Sequence, residues 1–267
     1  MVEKFREYLI HANMAKNTVS AYIYAVKDFN SKHKVLNKRS LLLYKTYLIE
    51  QFKPKTVNLR IQALNRYLEF LNKPHLRLKS VKVQQRSFLE NVISNADYTF
   101  LKNMLKNDNN MDWYFVVRFL AATGARVSEL LQLKVEHVDA GYYDIYSKGG
   151  KIRRLFIPKS LKEEAQAWLL IKGRHSGYLF VNRFGKRITS RGLAQQLKVL
   201  AKKYGLNPKV VYPHSFRHRY AKNFLERYND ISLLADLMGH ESIETTRIYL
   251  RRTAGEQQAI VDSVITW

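Results

Sequence analysis

The residues of this 267-residue chain that could do chemistry lie in its second half. His214-Ser215-Phe216-Arg217-His218 sets a histidine and an arginine three apart, on one face if the segment is helical. Arg126 follows Gly124, a candidate helix end, and Glu129 stands three residues further on. Lys148 opens Lys148-Gly149-Gly150-Lys151, a turn signal between two β-rich runs. His240 follows Leu237-Met238-Gly239, and Tyr249 comes nine residues later. Planar guanidinium groups bind phosphate through paired hydrogen bonds and keep their charge. A tyrosine hydroxyl is a weak nucleophile at its usual pKa of ~10 and needs a cationic pocket to favour the phenolate. A lysine crowded by cations gives up its proton more readily. Such a set suits attack on a phosphodiester. Taken singly, each member has a plainer reading: HxxR as a surface pair, Arg126 with Glu129 as a helix ion pair worth a few tenths of a kcal/mol, Lys-Gly-Gly as a turn, and Tyr249 as core between Ile248 and Leu250.

The composition narrows the partner. Lys and Arg number 46 against 22 Asp and Glu, a formal charge of +24. A globular chain this basic repels itself unless a polyanion accompanies it, and nucleic acid is the first candidate. An acidic membrane surface is the weaker one. The most apolar stretch, 113–125, is short and carries Arg118, so no segment reaches the ~20 apolar residues of a bilayer span. MVEKFREYLI lacks the apolar run of a signal peptide. Hydrophobic residues make up 46%, enough for a packed core and against disorder throughout. There is no cysteine, which excludes disulfides, thiolate metal sites and a cysteine nucleophile and suits a reducing compartment. No dense carboxylate cluster of the kind that holds Mg²⁺ is evident, and no GxxxxGK[ST] loop; Gly185-Lys186 lacks the upstream glycine.

The elements that must position these residues are mostly helical. Residues 1–73 read as a small bundle. Phe5, Tyr8 and Leu9 give one stripe. Asn17 or Thr18 caps a helix with Val19, Tyr22, Ile23, Val26 and Phe29, and a third helix covers 40–51. Pro54 opens a fourth, with Val57, Ile61, Leu64, Tyr67, Leu68 and Leu71 on its buried face. Residues 74–90 are basic and aperiodic and read as an interdomain linker. Residues 91–267 are mixed: Asp97 caps a helix over 98–106, and a helix over 111–123 ends at Gly124. A hairpin pairs 142–146 with 152–157. Helices follow over 161–172, 190–204, 215–228, 232–237 and 243–250. The fold class is α+β, mostly helical with a small sheet.

Order and spacing together carry more than any single residue. Thr123-Gly124-Ala125-Arg126-Val127-Ser128-Glu129-Leu130, then Lys148 in a turn, HxxRH, LMGH and Tyr249 resemble the tyrosine recombinase (phage integrase) family, in particular its compact Xer-like members. The resemblance implies an active-site order of Arg126, Lys148, His214, Arg217, His240 and Tyr249. It implies a nicked 3′-phosphotyrosyl intermediate, with no cofactor, metal or ATP. Arg126 and Arg217 would clamp the phosphate, Lys148 protonate the leaving 5′-oxygen, His214 assist at the nucleophile and His240 bond a nonbridging oxygen. Glu129 would orient Arg126 or His214. The bundle would be the family's SAM-like core-binding domain, and the partner double-stranded DNA, bound by self-association into a tetrameric synapse with a possible second recombinase or accessory protein. Integration, excision and resolution all fit, in a prokaryotic cytoplasm at the nucleoid. A type IB topoisomerase-like enzyme and a non-catalytic basic DNA-binding protein of the same fold are the alternatives. A ribonuclease using His214, His240 and Lys148 would leave Tyr249 and the arginines idle.

By charge and position at helix starts, Thr18, Lys55, Thr56 and Arg60 are candidate phosphate contacts in the bundle. Arg183, Lys186, Arg187 and Arg191 are candidates in the second domain. The apolar tail 253–267, with Ala259, Ile260, Val264, Ile265 and Trp267, is expected to start a helix near Thr253 and join protomers.

Overall fold

Two compact units make up the chain, Met1–Gln85 and Arg86–Trp267. The computed structural model describes residues 1–83, 91–146, 152–250 and 254–265. In the first unit, α1 (Val2–His11), α2 (Lys16–Lys32), α3 (Lys38–Gln51) and α4 (Pro54–Phe70) bury Phe5, Val26, Phe29, Leu41, Tyr44, Leu48, Ile61, Leu64 and Leu68. Pro54 stands in the first turn of α4, where its fixed φ helps and its missing N–H has no partner to lose. Helix α2 starts at Lys16, so Asn17 and Thr18 lie inside its first turn, and no side chain caps it. Asn37 caps α3 instead, accepting from the Ser40 N–H at 2.8 Å while the Ser40 hydroxyl accepts from the Asn37 N–H. Leu71 is only partly buried.

Residues 74–83 belong to the first unit. A single 3₁₀ turn, Pro74–Leu76, precedes an extended strap with Leu78 buried. Asn65 exchanges two hydrogen bonds with the backbone of Leu78, both 2.9 Å, and Asn58 does the same with Val81 at 2.8 and 2.9 Å. The spacing explains the fit. Seven residues along a helix and three along an extended chain both span about 10 Å. The expected boundary at residue 73 therefore falls inside a packed element, because two helical asparagines do the pairing that a neighbouring strand would do.

The second unit is built on α5 (Asn95–Asn107), α6 (Met111–Thr123) and α11 (Pro213–Arg227), around Leu101, Leu105, Phe115, Phe119, Leu120 and Phe216. Ser94, not Asp97, caps α5, its hydroxyl accepting from the Asp97 N–H at 2.9 Å. Two short helices that periodicity missed, α7 (Val127–Leu130) and α8 (Val135–Ala140), lead into the hairpin β1 (Tyr142–Tyr146) and β2 (Ile152–Phe156). The strands pair antiparallel, Tyr142 with Phe156 through Tyr146 with Ile152. Helices α9 (Lys159–Ile171) and α10 (Ser190–Lys203) follow; Trp168 of α9 stacks on Phe115 at 4.4 Å. The chain then runs through α11, α12 (Ile231–Met238), α13 (Ile243–Arg247), a 3₁₀ turn at Ile248–Leu250 and α14 (Ala254–Val264). No described helix is long and apolar enough to cross a membrane.

Candidate active site

The ends of two helices build the site. Helix α6 stops at Gly124, whose φ of +61° is left-handed; a Cβ there would come within 2.5 Å of the Tyr220 ring. Helix α12 stops at Gly239, also at φ +61°, where a Cβ would meet the Arg153 side chain at 2.5 Å. At this second end the His240 N–H reaches the Ala235 carbonyl and the Gly239 N–H the Asp236 carbonyl, a Schellman closure. That leaves the carbonyls of Met238 and Gly239 aimed into the site, at the negative pole of the helix.

Three arginines converge on these carbonyls. Arg217, in the first turn of α11 and 3% exposed, donates Nη1–H to the Gly124 oxygen at 2.6 Å and Nη2–H to the Met238 oxygen at 2.7 Å. It thus spans the ends of α6 and α12. Arg153 donates to the same Met238 oxygen at 2.7 Å, and Arg126 to the Gly239 oxygen at 2.9 Å. Burial and the neighbouring Arg126 pull the Arg217 pKa down to about 10, which still leaves it charged at neutral pH.

Glu129 supplies the negative charge among them. Arg126 precedes α7, and Glu129 reaches back from its third residue to accept the Arg126 N–H at 2.7 Å and Nη1–H at 2.8 Å. Arg153 grips the same carboxylate with two hydrogen bonds of 3.1 Å. Burial opposes the Glu129 charge, but Arg153 and Arg126 outweigh it and hold the carboxyl below its usual range. Three guanidiniums and one carboxylate leave two positive charges in excess.

His240 accepts from Arg217 Nη2 at 2.9 Å through Nε2. Arginine only donates, so the His240 proton sits on Nδ1 and is given to the buried Thr246 hydroxyl, 2.7 Å away. Burial, then Arg217 and Arg126, push its pKa down to about 4. Tyr249 is 6% exposed and lies between two imidazoles: its ring stacks on His240 at 6.1 Å and tilts against His218 at 5.4 Å. Burial raises the Tyr249 pKa, while the positive charges of Arg217 and then Arg126 pull the other way. His218 is neutral, pushed to about 4 by burial and then by His214 and Arg217, and its buried Nδ1 has no partner among the described residues. His214 is exposed on the same turn as Arg217, 6.4 Å from the His218 ring, and burial, Arg217 and Arg126 lower its pKa.

Of the residues singled out in sequence, Arg126, Glu129, Arg217, His240 and Tyr249 thus form one cluster, with His214 at its edge. Lys148 and Lys151 lie outside the described residues. Arg60 is corrected: it is 8% exposed and donates to Asp28 at 2.6 Å, with its guanidinium 4.2 Å over the Phe52 ring, so it serves the bundle core. Lys55 is exposed; Thr18 and Thr56 are half-buried in the first turns of α2 and α4, neither of which has a capping side chain. Arg183, Arg187 and Arg191 are exposed, the first two over the Phe184 and Tyr178 rings at 4.7 and 5.1 Å. Arg153 was missed. Its signal is alternation: Arg153, Leu155 and Ile157 share the inward face that Arg154 and Phe156 avoid.

Residues 91–256 match the Phage integrase family. Over 271 residues the chain is 31% identical to tyrosine recombinase XerA of Pyrococcus furiosus, covering 98% of this chain and 93% of that protein. Among solved structures it is similar to a XerA recombinase, with TM-score 0.55 at 23% identity over 100% of this chain and 98% of that one. It is also similar to the Tn1549 transposon integrase in complex with transposon right end DNA, with TM-score 0.71 at 15% identity and 98% of both chains covered.

Proposed function

The chain belongs to the phage integrase family and is a tyrosine-type site-specific DNA recombinase, and we propose that Tyr249 is its nucleophile. The observation that carries this is Tyr249 buried between His218 and His240, beside a cluster of described residues with two positive charges in excess. The phenol oxygen attacks phosphorus, the bond to the 5′-oxygen breaks, and the phosphate stays on Tyr249 as a 3′-phosphotyrosine. Lys148 gives its proton to the departing 5′-oxygen. The 5′-hydroxyl of a partner strand then reverses the step and rejoins the DNA.

Arg126 and Arg217 stabilise the charge that builds on the nonbridging oxygens, so the cations needed at the transition state come from the protein. His240 must change its bonding to help. Its Nε2 accepts from Arg217 now; when Arg217 turns to phosphate, Nε2 needs a proton to donate. The Thr246 hydroxyl both accepts and donates, so it can pair with either tautomer. His214 receives or relays the Tyr249 proton from the open edge.

DNA is the substrate that a charge of +24 suits, and the similar Tn1549 transposon integrase is in complex with DNA. In the first unit, the uncapped start of α2 turns first-turn amide N–H groups toward backbone phosphates beside Lys16 and Thr18, and Lys55 and Thr56 add charge and a hydroxyl at the start of α4. Arg183, Arg187 and Arg191 add contacts in the second. Four protomers on two duplexes exchange strands, joined through α14, where the side chains of Val261, Val264 and Ile265 are exposed. The test is a nicked suicide duplex: the wild-type chain should leave a covalent protein–DNA adduct, and Tyr249→Phe none. An adduct with the Phe variant sends the role to Tyr220 or Tyr228.

A further inference from the structure

Arg153 is a buried cation beside the site that the reaction itself does not use. Its side chain is 9% exposed, and it lies on β2 facing inward. It makes two hydrogen bonds to Glu129, at 3.1 Å each, and one to the Met238 oxygen at 2.7 Å. Its Nε is buried with no partner among the described residues. Placing an arginine here is expensive: a Gly239 without a side chain is needed to make room, and burial pulls the Arg153 pKa down despite Glu129. A fold that needed only packing would put an aliphatic residue at this inward strand position, as it does at Leu155 and Ile157.

The electrostatics show what the arginine does. Glu129 fixes Arg126 through its backbone N–H and its guanidinium. Such a buried carboxylate, alone with Arg126, would cancel that guanidinium's charge and hold it back from any other anion. We propose that Arg153 is a charge-balancing positioning residue: it cancels Glu129, so that Glu129 orients Arg126 without consuming the charge Arg126 needs for the phosphate. Among the described residues, three guanidiniums less one carboxylate leave two charges to set against a pentavalent phosphorane dianion, while the Lys148 proton passes to the leaving oxygen. Removing Arg153 leaves one. This inference rests on Arg126 being a phosphate ligand.

The full-length chain tests it, on a nicked duplex carrying either an ordinary phosphodiester or a neutral methylphosphonate at the cleaved position. Arg153→Met should slow single-turnover cleavage of the phosphodiester about 100-fold, with duplex affinity within about threefold. On the methylphosphonate the same variant should lose less than about tenfold, because a neutral phosphate asks less of Arg126. Adding Glu129→Gln to Arg153→Met should restore at least about tenfold on the phosphodiester, since the uncancelled carboxylate is gone. Equal losses on both substrates, or a double variant no faster than the single, would overturn the proposal. Should Arg153→Met not fold, Arg153→Lys decides: it keeps the charge and should cleave within about tenfold of wild type, and a loss near 100-fold would count against charge balance. Arg126→Lys separates the two levels. If it cleaves like wild type, Arg126 is not a phosphate ligand. If it fails while Arg153→Met cleaves normally, only the role given to Arg153 is wrong.

Discussion

Replacing Arg217 with lysine keeps a positive charge and removes the fork. The consequences follow from its contacts. One guanidinium serves the Gly124 oxygen at 2.6 Å, the Met238 oxygen at 2.7 Å and His240 Nε2 at 2.9 Å. An ammonium group is a single point and cannot serve carbonyls at the ends of two helices. One buried carbonyl is left unpaired, which costs about 1–3 kcal/mol. For a unit of this size that lowers the melting temperature by roughly 3–10 °C. The same burial that pulls Arg217 to about 10 would push a lysine toward neutral pH and strip its charge.

The chemical loss is larger. The Arg217 charge favours the Tyr249 phenolate and the guanidinium would clamp a nonbridging oxygen, and loss of one preorganised donor of this kind slows a reaction about 10²–10³-fold. Binding should hardly change, because Arg217 is one cation among many and is nearly out of reach of bulk solvent. The assay is single-turnover adduct formation on a suicide duplex at saturating protein, with a melting curve and a gel shift on the same preparation. Cleavage within about threefold of wild type, with the protein folded, would refute the reading of Arg217 as a transition-state ligand.

Tyr249→Phe should abolish adduct formation and leave duplex affinity within about twofold, since it removes one hydroxyl from a ring that keeps its packing between His218 and His240. Lys148→Ala should slow cleavage of an ordinary 5′-oxygen far more than of a 5′-bridging phosphorothiolate, which leaves unprotonated; equal losses would pass the role to Lys151. Acid should destabilise the fold: His218 and His240 have pKa values of about 4 folded against ~6.5 unfolded, so the unfolded chain binds more protons between those limits. Stability is then full above about pH 6.5 and falls as pH drops toward about 4, read as a falling melting temperature that His218→Gln partly flattens.

How much of this was legible in the sequence depends on whether the deciding interaction is local. Pro54, Gly124 and the apolar run 111–123 decide their helix ends within a turn, and the expected bounds of α6 match. Caps are less legible, because serine, asparagine, aspartate and threonine compete within a few positions. Ser94 wins over Asp97 by standing one residue before the helix, where its hydroxyl can face the free N–H groups. Arg60 looked like a surface cation at a helix start. Only the fold brings Asp28, 32 residues away, beside it. For Arg153 alternation could show the inward facing but not the role, because its partners Glu129 and Met238 are 24 and 85 residues distant. Short helices such as α7 have too few residues for a period to register.

The burial of Arg126 and Arg217, the two arginines proposed as phosphate ligands, differs, and the difference has a physical reason. Arg126 keeps a side chain 37% exposed, tethered by Glu129 and one carbonyl. Arg217 is 3% exposed and has five N–H groups, of which three are committed to Gly124, Met238 and His240. Two remain for the Tyr249 hydroxyl and an incoming phosphate. A guanidinium pinned to carbonyls at two helix ends can give up only its His240 contact and cannot follow a substrate, so the substrate and the nucleophile must come to it. The half-negative poles of α6 and α12 make this tolerable, since they offset part of the repulsion that Arg126 imposes on Arg217. The repulsion that remains is relieved only when an anion enters. The mobile member of the clamp is then Arg126, and Glu129 sets how far it can reach.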